Sequence, residues 1–153
     1  MTPLLLGTEI DKAGNSLTVY KSEQLGMSTA YSFFIKSYAE TIDAGHAYPT
    51  TCWDDQRCAV IYVMDGDKIV GQMTYDKNFP TTPGYIWIIL SSVVPSHRSL
   101  GIYKIMHKYL DQIGREEGYY GVSSYVHIKN ESQLRALESV GKKPVFYMVG
   151  KKF

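Results

Sequence analysis

One stretch constrains the fold more than any other: an apolar run, a turn and an amphipathic segment follow one another directly. Residues 85–90 are all aliphatic or aromatic, which predicts a buried strand. Residues 93–103 carry Pro95, Arg98 and Gly101, and predict a turn that opens a helix. Such a junction directs several backbone N–H groups to one point at the positive end of a helix dipole. An anion fits there, most naturally a phosphate.

The bulk properties of the chain are those of an ordinary globular protein. It has 153 residues, of which 44% are hydrophobic and 20% charged. A chain of this kind can bury a core, and a single domain over residues 1–153 is predicted. The formal net charge is +1, which gives no indication of a nucleic-acid partner.

Cysteine usage and hydropathy place the chain in a reducing, aqueous compartment. Cys52 and Cys58 are too few, and wrongly spaced, for a zinc site or a disulfide framework. No apolar run approaches the ~20 residues that span a bilayer. The three leucines at residues 4–6 lack the length and basic start of a signal peptide. We therefore predict a cytosolic protein with reduced thiols, no metal and no membrane partner.

The order of elements predicts an α/β (α+β) fold with a mixed, partly parallel central sheet flanked by helices. The predicted strands are residues 16–20, 59–63, 69–75, 85–94, 119–128 and 145–149. The turn signal at residues 65–67 makes the second and third of these a hairpin. The strand at 85–94 is predicted to be central and covered on both faces.

Helical spacing predicts three helices. The first follows Ser28, which is expected to cap it, and ends at Gly45; the third covers residues 132–140. The second, which starts at residue 102 and ends at Gly118, has the clearest pattern. Its expected apolar stripe is Ile102, Ile105, Met106, Tyr109, Leu110 and Ile113. Its expected water-facing residues are Lys104, His107, Lys108, Asp111, Gln112 and Arg115.

The junction also resembles a family signature. The pattern Val93-x-Pro95-x-x-Arg98-x-x-Gly101-x-Tyr103 is similar to the acyl-CoA signature Arg/Gln-x-x-Gly-x-Gly/Ala of the GNAT superfamily of N-acetyltransferases. It matches at Arg98 and Gly101 and departs at Tyr103, where a small residue is usual. The order of elements over about residues 57–149 also resembles the GNAT fold.

The resemblance implies acetyl-CoA as co-substrate and a primary amine of a small molecule or peptide as acceptor. The acetyl group would pass directly to the amine in a ternary complex, and no metal would take part. Family members are often dimers, so a homodimer is a state to test. A different class of function stays open, a non-catalytic GNAT-like acyl-CoA-binding or regulatory module. An unrelated nucleotide-binding domain is disfavoured because neither a Walker lysine nor Gly-x-Gly-x-x-Gly is present.

The resemblance also implies a set of CoA-binding residues. Backbone groups of the turn would hold the pyrophosphate, the end of the preceding strand would pair with the pantetheine arm, and an asparagine after the next strand would hydrogen-bond that arm. These residues are Val93, Val94, Arg98, Ser99, Leu100, Gly101, Ile102, Tyr103 and Asn130. Asn130 is equally suited to cap a helix. The Tyr103 side chain would stack on the ligand, narrow the groove or point to solvent.

The general acid is not evident from the sequence. In many relatives a tyrosine seven residues after the asparagine protonates the leaving sulfur, and that position is Leu137 here. Ser132 and Tyr125 are the predicted catalytic substitutes, chosen by proximity in sequence, with His127 as a third candidate.

The general base and the acceptor wall are also expectations. Asp76, Asp54 and Asp55 are candidate bases, although solvated loop charge is the favoured reading of all three, and some relatives need only a chain of waters. His97 would contact phosphate or lie on the surface. By resemblance, residues 31–53, rich in Tyr, His and Trp, would form the acceptor wall.

Overall fold

The computed structural model describes residues 2–47 and 53–145, which form six strands and three α-helices. The strands are β1 (Leu4–Ile10), β2 (Ser16–Ser22), β3 (Ala59–Asp65), β4 (Lys68–Asp76), β5 (Tyr85–Val93) and β6 (Gly121–Ser124). The helices are α1 (Tyr31–Asp43), α2 (Ile102–Glu116) and α3 (Glu131–Ser139). Short 3-10 turns at Leu25–Met27 and Pro95–His97 lie before α1 and α2.

The strands form one mixed sheet in the order β1-β2-β3-β4-β5-β6. The pairs from β1 to β5 are antiparallel, whereas β5 and β6 are parallel. Helix α2 makes the crossover between the parallel strands, which need such a connection. The predicted fold class, a mixed and partly parallel sheet flanked by helices, is confirmed.

Several predicted strands need correction. β1 was not predicted, because half of its residues are exposed at the sheet edge and no clear alternation marks it. β5 is fifth of the six described strands, so its predicted central place is wrong. β6 has four residues rather than the ten predicted, since the chain turns away after Ser124. The strand predicted at 145–149 lies outside the described residues except Val145, which is exposed and not in a strand.

The helices follow the predicted pattern with three differences. The N-cap of α1 is Ala30, and the Ser28 hydroxyl instead accepts the Ala30 N–H at 3.1 Å. On α2, the apolar stripe is buried or half-buried as predicted, but His107 is 3% exposed rather than facing water. On α3, Leu137 is half-buried, although its sequence suggested a core position.

Each face of the sheet carries one apolar core. The α2 side is built from residues such as Ile61, Met73, Ile86 and Met106, all fully buried. The other face holds a smaller cluster around Phe34 of α1. Helix α2 comes close to the sheet at Gly71, where an added Cβ would lie 2.9 Å from Ile102 Cγ2.

Over 2–47 and 53–145, no helix is both long and apolar enough to cross a membrane. The same residues contain no group of three or more His, Cys, Asp and Glu side chains arranged to hold a metal ion. Cys58 is a free, buried thiol, and its burial raises its pKa to about 11.

Candidate active site

The parallel strands β5 and β6 separate at a bulge in β5. Thr74 of β4 is opposite Leu90 and Tyr75 is opposite Ile88, so Ile89 is an extra residue with no partner of its own. The ladder between β5 and β6 ends one residue earlier, where Ser124 is opposite Ile88. Within the described residues, β5 beyond Ile89 is therefore paired on its β4 side alone.

Strand alternation shows which backbone groups of β5 face this gap. The Val94 N–H donates to Val70 O of β4 at 2.9 Å. Successive residues of a strand point their N–H and C=O groups to opposite edges. The backbone N–H and C=O groups of Ser91 and Val93 therefore point into the gap. Val94 was predicted to pair with a pantetheine arm, but its N–H is already bonded to β4.

The turn after β5 directs free donors to one place. Ser99 has φ 63° and Gly101 has φ 91°, so two left-handed residues lie within three positions. Gly101 is the N-cap of α2, and its carbonyl accepts the Ile105 N–H at 3.0 Å. The N–H groups of the first helical turn, Ile102 and Tyr103 among them, have no acceptor within the helix. This geometry and the helix dipole favour an anion at this point.

Contacts from three directions hold the turn in place. His97 Nε2 lies 2.9 Å from Asp65 Oδ2 in the β3–β4 hairpin. The Lys12 N–H, from the turn between β1 and β2, donates to Leu100 O at 3.1 Å. Arg98 is exposed and its Nε donates to Val93 O at 3.1 Å, on the gap side of β5. His97 thus has a structural partner, whereas the Arg98 guanidinium lies beside the predicted ligand position.

Tyr103 does not point to solvent. Its side chain packs against the core on the α2 side, and its ring centroid is 5.8 Å from that of His107. Burial raises the pKa of its hydroxyl to about 12, with a smaller contribution from the Asp111 carboxylate, and Gln133 of α3 acts in the opposite direction. The side chain therefore lies between α2 and α3, the two helices that border the gap.

Asn130 is the N-cap of α3. Its Oδ1 accepts the Gln133 N–H at 3.2 Å and the Ser132 hydroxyl at 3.3 Å. The side-chain carbonyl oxygen of Asn130 therefore caps the helix, and its NH₂ group remains as a donor for a ligand. In the same turn, Gln133 Nε2 donates to Ser91 Oγ at 3.3 Å and so connects α3 to β5 across the gap.

The three candidate bases have other partners. Asp76 is buried, forms an ion pair with Arg57 at 2.7 Å and accepts the Asn78 N–H. Asp54 accepts two backbone N–H groups of its own turn. Asp55 accepts the Tyr31 hydroxyl at 2.8 Å and the Trp53 indole N–H at 2.6 Å. The solvated-loop interpretation is confirmed for Asp54, which is exposed, whereas Asp55 and Asp76 hold together segments on the α1 side of the sheet.

The other candidates lie on the loop between β6 and α3. Tyr125 is 69% exposed and packs edge-on against Trp87 at 4.6 Å between ring centroids. Ser132 is exposed and bonded to the Asn130 cap. His127 stacks on His46, which follows α1, with 6.2 Å between centroids. The structure thus brings the loops after α1 and β6 together on the α1 side of β5.

Sequence reasoning missed the most informative part of the site, the bulge at Ile89 and the gap-facing Ser91. Ile89 continues an apolar run and gives no local signal. The pair Ser91-Ser92 at the end of that run was the available sign. Ser92 belongs to a buried polar chain in which its hydroxyl donates to Ser37 Oγ at 2.9 Å and accepts from Gln72 at 3.1 Å.

Comparison with solved structures identifies the fold first. An aminoglycoside acetyltransferase from an uncultured soil metagenomic sample is similar, with a TM-score of 0.67, 14% identity, and coverage of 90% of this chain and 95% of that one. A ribosomal-protein-alanine N-acetyltransferase from Brucella melitensis biovar Abortus 2308 has a TM-score of 0.65 and 14% identity, over 90% and 99% of the two chains. The fold is therefore that of the acetyltransferases.

A further neighbour was solved with a ligand. The aminoglycoside acetyltransferase AAC(6')-Iy, in complex with a CoA bisubstrate analogue, has a TM-score of 0.60 and 13% identity, over 90% of this chain and 97% of that one. No curated protein matched in a sequence search. The profile of the acetyltransferase (GNAT) family matches residues 27–141. The chain belongs to the GNAT family.

Proposed function

We propose that this chain is an N-acetyltransferase that uses acetyl-CoA to acetylate a primary amine of a small molecule or peptide. The observation that carries this proposal is the gap between β5 and β6, which opens at Ile89 and leads to the N-terminus of α2. One end of the gap offers strand-edge hydrogen bonds and the other end offers an anion site. A CoA thioester has an amide-bearing arm and a pyrophosphate, so its two parts match these two features.

Each part of CoA would have hydrogen-bond donors or acceptors among the predicted residues. The gap-facing groups of Ser91 and Val93 would pair with the arm, in the way an added strand pairs with a sheet edge. The N–H groups from Ser99 to Tyr103 would hold the pyrophosphate, and Gly101 has no Cβ to obstruct its approach. Arg98 would exchange its bond to the Val93 carbonyl for a charge-assisted contact with phosphate. The Asn130 NH₂ would donate to the arm.

The chemistry requires polarisation of the thioester and several proton movements. A gap-facing N–H of β5 would donate to the thioester oxygen as negative charge develops there, an effect worth about 3 kcal/mol for one well-aimed donor. The neutral acceptor amine attacks the carbonyl carbon, the C–S bond breaks, and CoA leaves as thiolate. The new amide nitrogen loses a second proton, which balances the one that the acid gives to the sulfur. Because the nearby carboxylates all accept hydrogen bonds from other groups of the protein, we assign removal of the ammonium proton to water on the α1 side.

Tyr125 and Ser132 remain the proposed acids for the thiolate. Both lie on the segment between β6 and α3, and Tyr125 has the exposed hydroxyl. Tyr125→Phe and Ser132→Ala separate the two assignments. The variant that lacks the acid should lose roughly 10²-fold or more in kcat while its affinity for acetyl-CoA is unchanged. If both variants keep the kcat of the unmodified chain, neither residue is the general acid.

The acceptor is proposed to enter on the α1 side of the sheet. Phe34 and Tyr38, which are buried, and Trp53, which is half-buried, form an aromatic cluster beneath that surface, with ring centroids 4.6–6.1 Å apart. The similar structures include enzymes that are named for aminoglycoside and protein-alanine substrates. An amine carried by a small molecule or by a peptide is the acceptor class that these two neighbours support.

The first test is isothermal titration of the chain with acetyl-CoA, with dephospho-CoA and ATP as comparisons. Micromolar binding of acetyl-CoA supports the proposed site. Failure to bind at millimolar ligand would overturn it, because no CoA-dependent chemistry then occurs. A screen of amine acceptors follows, with release of free thiol as the readout.

A non-catalytic CoA-binding module is the second candidate, favoured by one observation. Leu137 occupies the position where many relatives carry the tyrosine that acts as general acid, and it is half-buried and apolar. Binding of acetyl-CoA without thiol release across a broad amine panel would select this candidate. Turnover with any acceptor at a rate above solvent hydrolysis would eliminate it.

A further inference from the structure

A cavity of about 240 Å³ lies between α2, β6 and the segment after α3. Its titratable lining residues are His107, Asp111, Arg115, Tyr119, Tyr120 and Lys142. His107 is 3% exposed, and its two ring nitrogens have no hydrogen-bond partner in the described part of the chain, although Nδ1 lies 3.1 Å from Asp111 Oδ1. The mechanism proposed above uses none of these groups.

Lys142 extends its amine from this cavity to the place where the two parallel strands separate. Its backbone N–H donates to Leu137 O at 3.1 Å, which holds the residue directly after α3. Its Nζ donates to Ser124 Oγ at 3.3 Å. Ser124 is the last residue of β6 and is opposite Ile88, next to the bulge at Ile89. The amine therefore lies at the closed end of the gap, on the α2 side of the sheet.

The surroundings of this amine favour its neutral form. Burial lowers the pKa of Lys142 to about 8, against an opposing effect of the Asp111 carboxylate. At pH 8 about half of Lys142 is then neutral, compared with roughly 0.4% of an unperturbed lysine. Burial also lowers the pKa of His107, with Lys142 adding to the effect and Asp111 opposing it, so the neutral imidazole is available as a proton acceptor.

We propose that Lys142 is a self-acetylation site, which accepts the acetyl group of a CoA thioester bound in the gap between β5 and β6. The Nζ lone pair attacks the thioester carbonyl carbon, an N–C bond forms, the C–S bond breaks, and CoA leaves as thiolate. The proton lost from nitrogen passes to a base, for which the cavity offers His107. The product is Nε-acetyl-lysine, which is neutral and removes a positive charge beside Asp111 and His107.

This inference rests on the proposed function, since the acetyl donor must occupy the CoA site. The experiment incubates the purified chain with acetyl-CoA at pH 8 and follows its intact mass, where one acetyl group adds about 42 Da. A protease that cleaves after glutamate releases Lys142 and Lys143 on one peptide that begins at Ser139. Fragment masses then assign the modified residue, and Lys143, which is exposed, is the internal control.

The expected result is acetylation of Lys142 at least tenfold faster than of Lys143, with the preference suppressed by excess free CoA. Lys142→Arg should abolish the fast phase, and the matched control Lys143→Arg should leave it unchanged. The rate should rise as pH increases through about 8 and then level off, because only the neutral amine reacts. Calorimetry on both variants confirms that they still bind CoA.

Two outcomes separate this inference from the function on which it rests. If the chain binds acetyl-CoA but Lys142 is modified no faster than Lys143, self-acetylation is overturned and the acetyltransferase proposal stands. If acetyl-CoA does not bind, the proposed function fails first and this inference fails with it. Preferential modification of Lys142 that free CoA does not suppress also overturns the inference, because the acetyl group then comes from solution rather than from the gap.

Discussion

The two halves of β5 belong to one continuous strand and differ in their surroundings. Ile86, Trp87 and Ile88 are at most 7% exposed and lie between β4 and β6. From Ile89 to Val93 every residue is half-buried, and the described residues pair this half with β4 alone. One strand thus contributes a closed half to the core and an open half to the site. The single extra residue at the bulge separates the two roles.

The largest effect is expected from the closed half. Ile86→Ala removes a fully buried side chain and should cost about 3 kcal/mol of unfolding free energy, through lost burial and the cavity left behind. Urea denaturation measures this loss. The matched change in the open half, Val93→Ala, should cost less than half as much. Equal losses would show that the two halves do not differ in their contribution to the core.

The next largest effect is expected from the hydrogen-bonded side chains that lie beneath the open half of β5. Gln72 is fully buried, accepts the Thr74 hydroxyl at 2.7 Å and donates to Ser92 Oγ. Gln72→Leu preserves volume but leaves these groups unsatisfied, so a loss of about 1–3 kcal/mol is expected in urea denaturation. Thr74→Val is the milder control because it leaves fewer groups unpaired. No loss in Gln72→Leu would show that water replaces the amide.

Gly101→Ala should lower both the unfolding free energy and the affinity for acetyl-CoA. Its φ of 91° disfavours any side chain, so we expect a loss of about 1–2 kcal/mol in unfolding free energy. The new Cβ would have open space within the protein, where the nearest atom is Lys12 Cε at 3.7 Å. Calorimetry should nevertheless show acetyl-CoA affinity reduced tenfold or more. Ser99→Gly, which relieves a positive φ, is the control and should retain affinity.

The smallest effect is expected where the turn meets the hairpin. Asp65→Asn replaces the carboxylate whose Oδ2 lies 2.9 Å from His97 Nε2 with a neutral amide. Because the pair is partly exposed, the expected loss of stability is about 0.5 kcal/mol. Acetyl-CoA affinity should fall two- to threefold, since the turn is held less firmly. Asp67→Asn, in the same hairpin turn, serves as the control, and equal effects of both changes would rule out a specific tie to His97.

The fold was largely predictable because its signals are local. The apolar run, Gly101 and the stripe on α2 predict a strand, turn and helix that the structure contains. His107 was one exception: its position on the helix suggested water, but the segment that follows α3, including Lys142, covers that face. Contacts between residues distant in sequence cannot be derived from helical spacing alone.

The site was predictable only in part. The turn chemistry at Arg98 and Gly101 is local and was visible in the sequence. The bulge at Ile89 was not, because it arises from the register of β5 against β4 and leaves the apolar pattern unbroken. The same holds for Asp76, which looked like a loop charge until its pairing with Arg57 was known. A strand register or an ion pair depends on two segments that are distant in sequence, so neither segment alone predicts it.

The open half of β5 also bears on how the chain behaves at high concentration. A strand with unpaired N–H and C=O groups is a template for pairing with another chain. Here the edge lies inside the sheet, and α3 crosses it through the bond between Gln133 and Ser91. A ligand laid along Ser91 and Val93 would fill the same edge as an additional strand. Bound CoA would then leave fewer backbone groups of this edge free to pair with another chain than the ligand-free protein has.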